Sequence, residues 1–322
     1  MAQQARTTPS GPGPHTTRAA LDLARRLPDL AVSAREAASS VMHGVHGRRR
    51  SGVGEAFWQF RPFTAGESVA RIDWRRSARD DRTYVREREW EAAQTVWLWM
   101  DRSPSMDFAS DLARATKRDR ALVLGLATAD LLVRGGERVA LLGLSRPVAA
   151  RNVVDRFAEA LSGPDGARTA ADELPPAEPL PARSRALLVG DWLSDAEAVA
   201  GRIAALAAAG ALGHVIAVCD PVEETFPFAG HVEFADTDGP ARLRLGQAAS
   251  LRQTYLAKLA VHRDSIAEAC RRQGWTFAVH RTDRPATEAL LRLATLLADG
   301  GGSAAATGGS AAATGGSAAA TG

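Results

Sequence analysis

Lysine is almost missing from this chain of 322 residues: Lys117 and Lys258 are the only two. Arginine carries the basic charge instead, giving a pI near 9.3 beside a formal net charge of only +3. A surplus that small does not by itself make a nucleic-acid binder. Cysteine is just as scarce. Cys219 and Cys270 lack any metal-ligand spacing, and one such pair in a long chain is expected as reduced, buried thiols. No apolar run approaches the ~20 residues of a membrane span. The opening stretch, residues 1–15, is rich in Gly, Pro, Ser and Thr and has no signal-peptide hydrophobic region. These absences lead to the expectation of a soluble cytoplasmic protein without a membrane anchor. Gly-x-Ser-x-Gly, Gly-x-Gly-x-x-Gly and Gly-x-x-x-x-Gly-Lys are also missing, which removes the hydrolase elbow and two kinds of nucleotide site. Both lysines fall within predicted helices, so aspartate-based phosphoryl transfer finds no lysine on a loop to support it.

What remains is ordinary globular material, 45% apolar and 24% charged, in a chain long enough to bury a substantial core. Residues 1–15 read as a disordered leader. Residues 16–93 form an amino-terminal extension. Its first part has helical spacing through Leu21, Leu27 and Leu30, with Pro28 expected to end one helix and start another. A basic loop, Gly47 to Gly52, and an irregular Arg- and Trp-rich stretch follow, with a strand expected over 83–89.

From residue 94 the pattern changes. Val96-Trp97-Leu98-Trp99-Met100 is a continuous apolar run ending in Asp101, the look of a buried parallel strand. Further strands are expected at 138–144, 186–190, 214–218 and 275–279. Helices are expected at 111–134, 152–161, 194–210, 247–273 and 286–298, and a hairpin within 220–245. Ser194 and Glu197 have capping-box spacing at the start of the third of these helices. Strands alternating with helices predict an α/β domain over 94–299, a mostly parallel sheet with helices on both faces. The remainder, 300–322, is a Gly-Gly-Ser-Ala-Ala-Ala-Thr repeat with no large apolar residue, hence a flexible tail.

Ligands of such sheets sit beyond the carboxyl ends of the strands, and both Asp101 and Asp191 land there. Asp101-Arg102-Ser103-Pro104-Ser105 places one carboxylate and two hydroxyls on a tight loop, the oxygen donors that a hard cation such as magnesium takes. Thr169 and Asp191 are the candidates to add contacts from neighbouring loops. The plainer alternative is that Asp101 and Asp191 merely cap the helices that follow them.

Here the sequence resembles a bacterial family known as domain of unknown function 58. The likeness is carried by Gly47-Arg48-Arg49-Arg50, Phe60-Arg61-Pro62-Phe63, Gly66-Glu67, Arg71-Ile72-Asp73-Trp74-Arg75, Ser77-Ala78-Arg79 and Tyr84-Val85-Arg86-Glu87. It ends in Trp99-Met100-Asp101-Arg102-Ser103-Pro104-Ser105-Met106. The resemblance implies a von Willebrand A-like fold and a metal-ion-dependent adhesion site, with Mg2+ or Mn2+ held by Asp101, Ser103, Ser105, Thr169 and Asp191. Thr116 and Thr128 stand as alternatives to Thr169, and Gly190-Asp191-Trp192 replaces the family's more usual Ser-Asp-Phe. It also implies a non-catalytic adaptor that docks an acidic residue of a MoxR-type AAA+ ATPase or its client. Membrane spans found in many relatives are not carried over.

Two rival functions are a metal-dependent hydrolase using the same residues and an RNA-binding protein using the arginines of 71–89. The first lacks a histidine or spare carboxylate near the motif. The second must contend with Asp73, Asp80, Asp81, Glu87 and Glu89 in the same stretch, a mixed charge poorly suited to a phosphate track. Trp58, Trp74, Trp90, Trp97 and Trp99 are expected mainly as core residues or as braces that fasten the extension onto the sheet, with a few as partner anchors. His43 and His46 are expected as solvated helix-end residues.

Overall fold

A computed structural model of the chain describes residues 14–46, 57–64, 68–69, 72–79, 82–88, 94–235 and 242–302. Residues 1–13 of the expected leader, the basic loop, and all but the start of the tail lie outside these residues, while Pro14 and His15 begin a helix.

The chain opens with α1 (Pro14–His46), then β1 (Phe57–Pro62), the one-turn α2 (Trp74–Ser77) and β2 (Tyr84–Arg88). The strands β1 and β2 pair antiparallel as a small separate sheet. The main domain follows as β3 (Thr95–Met100), α3 (Lys117–Arg134), β4 (Arg138–Leu141), α4 (Val153–Ser162), α5 (Pro164–Arg168), β5 (Arg185–Gly190), α6 (Ala196–Ala207) and β6 (Leu212–Cys219). It continues through α7 (Pro221–Thr225), a hairpin of β7 (Val232–Ala235) and β8 (Arg242–Leu245), α8 (Arg252–Arg272), β9 (Thr276–Arg281) and α9 (Ala286–Gly302).

Five strands form one all-parallel sheet in the order β4-β3-β5-β6-β9, the α/β arrangement expected from the alternating pattern. Side chains of β3 alternate between its two faces. Val96, Leu98 and Met100 join a core beneath α1, α3, α4 and α9, while Trp97 and Trp99 face α6 and α8. Cys219 and Cys270 are buried free thiols, and burial pushes each up to about 12.

The order of the strands locates the site. After β3 the chain leaves toward one face, into α3, and after β5 toward the other, into α6. The two strands are neighbours, so their loops part and open a crevice at the carboxyl rim. Asp101 and Asp191 follow those two strands.

Two local expectations are corrected. Pro28 does not divide the first helix: α1 runs unbroken past it. Leu27, Ala31, Ala34, Ala38 and Val41 form a buried stripe against the core, so packing outweighs the local cost of the proline, which itself faces out. The cap of α6 is Asp195 rather than Ser194; its carboxylate accepts from the backbone N–H groups of Glu197 and Ala198, both at 3.0 Å. The Ser194 hydroxyl donates instead to Glu173. A carboxylate one residue nearer the helix outcompetes the hydroxyl for the same donors.

Candidate functional site

The loop after β3 is wound tightly enough to bring its oxygens together. The Asp101 carboxylate accepts from the backbone N–H of Ser103 at 2.8 Å. Pro104 starts a single 3-10 turn over Pro104–Asp107, which stacks the two serine hydroxyls 3.1 Å apart. From the loop after β5, Asp191 Oδ2 accepts the Ser105 hydroxyl at 2.9 Å. Asp101, Ser103, Ser105 and Asp191 therefore form one connected cluster of oxygens.

Two features of the β5 loop produce this approach. Gly190 lies against Asp101: an added Cβ would stand 3.0 Å from the Asp101 Cβ and 3.3 Å from its Oδ2. Trp192 takes a left-handed conformation, φ 57°, which costs a non-glycine residue about 1 kcal/mol. Contacts hold it there: its indole donates to the Ile216 carbonyl at 2.9 Å and packs against Trp99 with centroids 5.5 Å apart. The strained turn sits directly after the candidate ligand.

Thr169 is not in the cluster. Its hydroxyl accepts from the Arg102 guanidinium at 3.0 Å, which also donates to the carbonyls of Leu161 and Gly166. Thr116 caps α3 by accepting from Asp119, and Thr128 donates to the Leu124 carbonyl inside that helix. None of the three hydroxyls bonds to the Asp101–Asp191 cluster.

A residue discounted on sequence fills the space instead. Lys117, the first residue of α3, is 1% exposed, and its ammonium donates to Asp191 Oδ2 at 2.9 Å and to Glu223 Oε1 at 2.8 Å. Helix membership had suggested that this lysine lay away from the loops. A helix following a parallel strand starts at the carboxyl rim, however, so its first turn lines the ligand crevice. The helix expected over 111–134 puts Lys117 in its second turn, whereas α3 starts at Lys117 itself. Glu223, on α7 after β6, carries no signal in the sequence.

The electrostatics follow from burial and crowding. Desolvation, then the charge of Asp191, raises the Asp101 carboxyl to about 7, against the lowering effect of the Ser103 hydrogen bonds and Lys117. Burial opposes charge on Lys117, but its partners Asp191 and Glu223 prevail and hold its pKa above the usual lysine value. With Asp101 ionised, three carboxylates face one ammonium.

The donors present fit a magnesium-like ion. Two carboxylates and two hydroxyls are hard oxygen ligands, and a divalent charge would offset both the burial and the Asp191 repulsion that raise Asp101. The fit depends on the hydroxyls: among the described residues no group of three or more His, Cys, Asp or Glu side chains could hold a metal. No helix among them is long and apolar enough to cross a membrane.

Elsewhere the candidates thin out. In the Arg-rich stretch, Asp73 caps α2 through the Arg76 N–H at 2.9 Å, and the Arg76 guanidinium lies over the Tyr84 ring, 5.1 Å from its centroid. That part of the segment is bound to itself; residues 71, 80, 81 and 89 lie outside the described residues. Trp99 is buried in the core against Trp192, on the face of the sheet opposite α1, and Trp74 is 64% exposed. A cavity of about 340 Å3 between β6, β9 and α9 is lined by none of the rim cluster.

The model of a family described as protein of unknown function DUF58 matches residues 59–265. Uncharacterized proteins of Mycobacterium bovis and Mycobacterium tuberculosis are each 27% identical over 283 residues, covering 81% of this chain and 86% of their own lengths. A solved structure, the conserved hypothetical protein BatB from Bacteroides thetaiotaomicron, is 13% identical, with a TM-score of 0.35 over 64% of this chain and all of that one.

Proposed function

We propose that this chain, which belongs to the DUF58 family of proteins of unknown function, is a non-catalytic binding module that docks an acidic side chain of a partner protein through a divalent cation at the carboxyl rim of its sheet. The observation that carries this reading is the meeting of Asp101, Ser103, Ser105 and Asp191 in the crevice between β3 and β5.

A bound Mg2+ or Mn2+ supplies the positive charge that lets another carboxylate approach a pocket already rich in them. The chain's own residues do the rest. Asp101, Asp191 and the two serine hydroxyls are the oxygens that would hold the ion. Arg118 fixes the loop by donating to the carbonyls of Arg102 and Ser103, so the donors are preorganised. Phe108 and Leu112, beyond Ser105, and Leu193, beyond Asp191, are all exposed. Apolar side chains standing on the loops that carry the oxygens suit a protein partner. By family resemblance that partner is a MoxR-type AAA+ ATPase or its client. An enzymatic role would need a base to activate water. Asp191 and Glu223 are both tied to Lys117, which argues against it.

Calorimetric titration with Mn2+ and co-elution with a MoxR-type ATPase, each on wild type and Asp101→Ala, test this. Saturable ion binding and ion-dependent co-elution, both lost in the variant, are expected. Equal ion binding in the two proteins removes the site. Turnover of phosphoester or peptide substrates that disappears in Asp101→Ala would make the chain an enzyme instead.

A further inference from the structure

We propose that Lys117 is a resident cation that closes this pocket, so that its ammonium and a divalent ion compete for Asp191 and binding of the ion moves Lys117 off that carboxylate. The inference rests on the metal reading of the site and concerns how that site is opened.

Asp191 Oδ2 accepts both the Ser105 hydroxyl and the Lys117 ammonium at 2.9 Å. A carboxylate oxygen has two lone-pair directions, and both are used. Oδ1 faces the Leu193 N–H at 3.3 Å. An ion that draws Asp191 into its sphere therefore meets an oxygen already committed to another cation. The ammonium and the ion would also repel each other across a short, poorly solvated gap.

Lys117 has somewhere to go. Its second partner, Glu223, lies on a different loop and keeps the ammonium neutralised when Asp191 is surrendered. That matters because a buried ammonium stripped of all partners is heavily penalised. Glu223 is itself held: its Oε2 accepts the Asp220 N–H at 2.7 Å in the capping box of α7. The Lys117 backbone is fixed beside the Thr116 cap, its N–H donating to the Phe108 carbonyl at 3.4 Å, and its buried ammonium reaches the carboxylates along a four-carbon stem. Rotation within that stem would carry the ammonium off Asp191 and onto Glu223, already 2.8 Å away, while Glu223 stays. Opening the pocket thus leaves every buried charge with a partner.

The scarcity of lysine makes the test direct. Lys258 is exposed on α8, so protein carrying 13C at the lysine ε-carbons gives one reporter at the site and one internal control. Titration of the full chain with Mg2+ is expected to shift the Lys117 resonance saturably while Lys258 stays fixed. Mn2+ is expected to bind Lys117→Met at least tenfold more tightly than wild type. Ion binding with an unmoved Lys117 resonance overturns the proposal and leaves the metal site standing, as does a Lys117→Met affinity no better than wild type. Should the variant not fold, the resonance decides alone. Binding to Lys117→Met but not to wild type supports the closure in its strongest form. No binding to either protein sinks both the closure and the metal reading.

Discussion

Asp101 and Asp220 stand in matching places, each directly after a parallel strand and each fully buried, yet the structure treats them oppositely. Asp220 is saturated. It accepts the Ser110 N–H at 2.7 Å, the Ser110 hydroxyl at 2.6 Å and the Val222 N–H at 2.9 Å, while its own N–H donates to Glu223. Asp101 takes its hydrogen bonds from Ser103 alone and faces Asp191 across the crevice. Position at a strand end is thus not what sets Asp101 apart; unspent acceptor capacity beside another negative charge is. One aspartate ties the β6 loop to the β3 loop, and the other is left with acceptor capacity to spare beside a second negative charge.

The contrast can be broken most forcefully at Asp220. Asp220→Ala strands the Ser110 and Val222 donors in a buried setting and should lower unfolding free energy by about 4 kcal/mol, read by denaturant melts. A loss near zero would mean that the network does not hold the rim together. The opposite sign is expected at Asp101. Its folded-state carboxyl holds a proton up to about pH 7, whereas the unfolded chain releases it near 3.8. Between those values the folded state binds more protons, so metal-free stability should fall as pH rises from about 4 to 7. Asp101→Asn should flatten that slope and be the more stable protein at pH 8, by on the order of 3 kcal/mol. A variant with the wild-type pH profile would show that Asp101 is not strained. Smallest is Ser110→Ala, which removes one hydroxyl from Asp220 but leaves the backbone donor. It should cost about 1 kcal/mol in the same melts and leave Mn2+ affinity unchanged, which separates the structural carboxylate from the binding one.

Much of this was legible early. The strand ending in Asp101, the run of donors through Ser105 and the strand ending in Asp191 were all visible, because buried parallel strands are continuous apolar runs and their carboxyl ends face one rim. Asp220 escaped because the apolar run was closed at Val218, one residue before β6 ends at Cys219. Pro28 misled because its local penalty is plain in the sequence whereas the buried alanine stripe that outweighs it becomes visible only once its partners α3, α4 and α9 are in place. Thr169 was placed by its loop, but a loop's position does not say which donor will claim a hydroxyl, and Arg102 claimed this one.

The periodic elements, the α/β class and the grouping of Asp101, Ser103 and Ser105 were readable from local order alone, since each depends on residues within a few positions of one another. The pairing of Lys117 with Asp191 and Glu223, partners 74 and 106 residues away, arises from the folded arrangement. Strand order is set by long-range pairing, and it is strand order that puts the start of α3 and the loops after β5 and β6 around a single crevice. A buried charge finds its counter-ion through that arrangement, which no local pattern encodes.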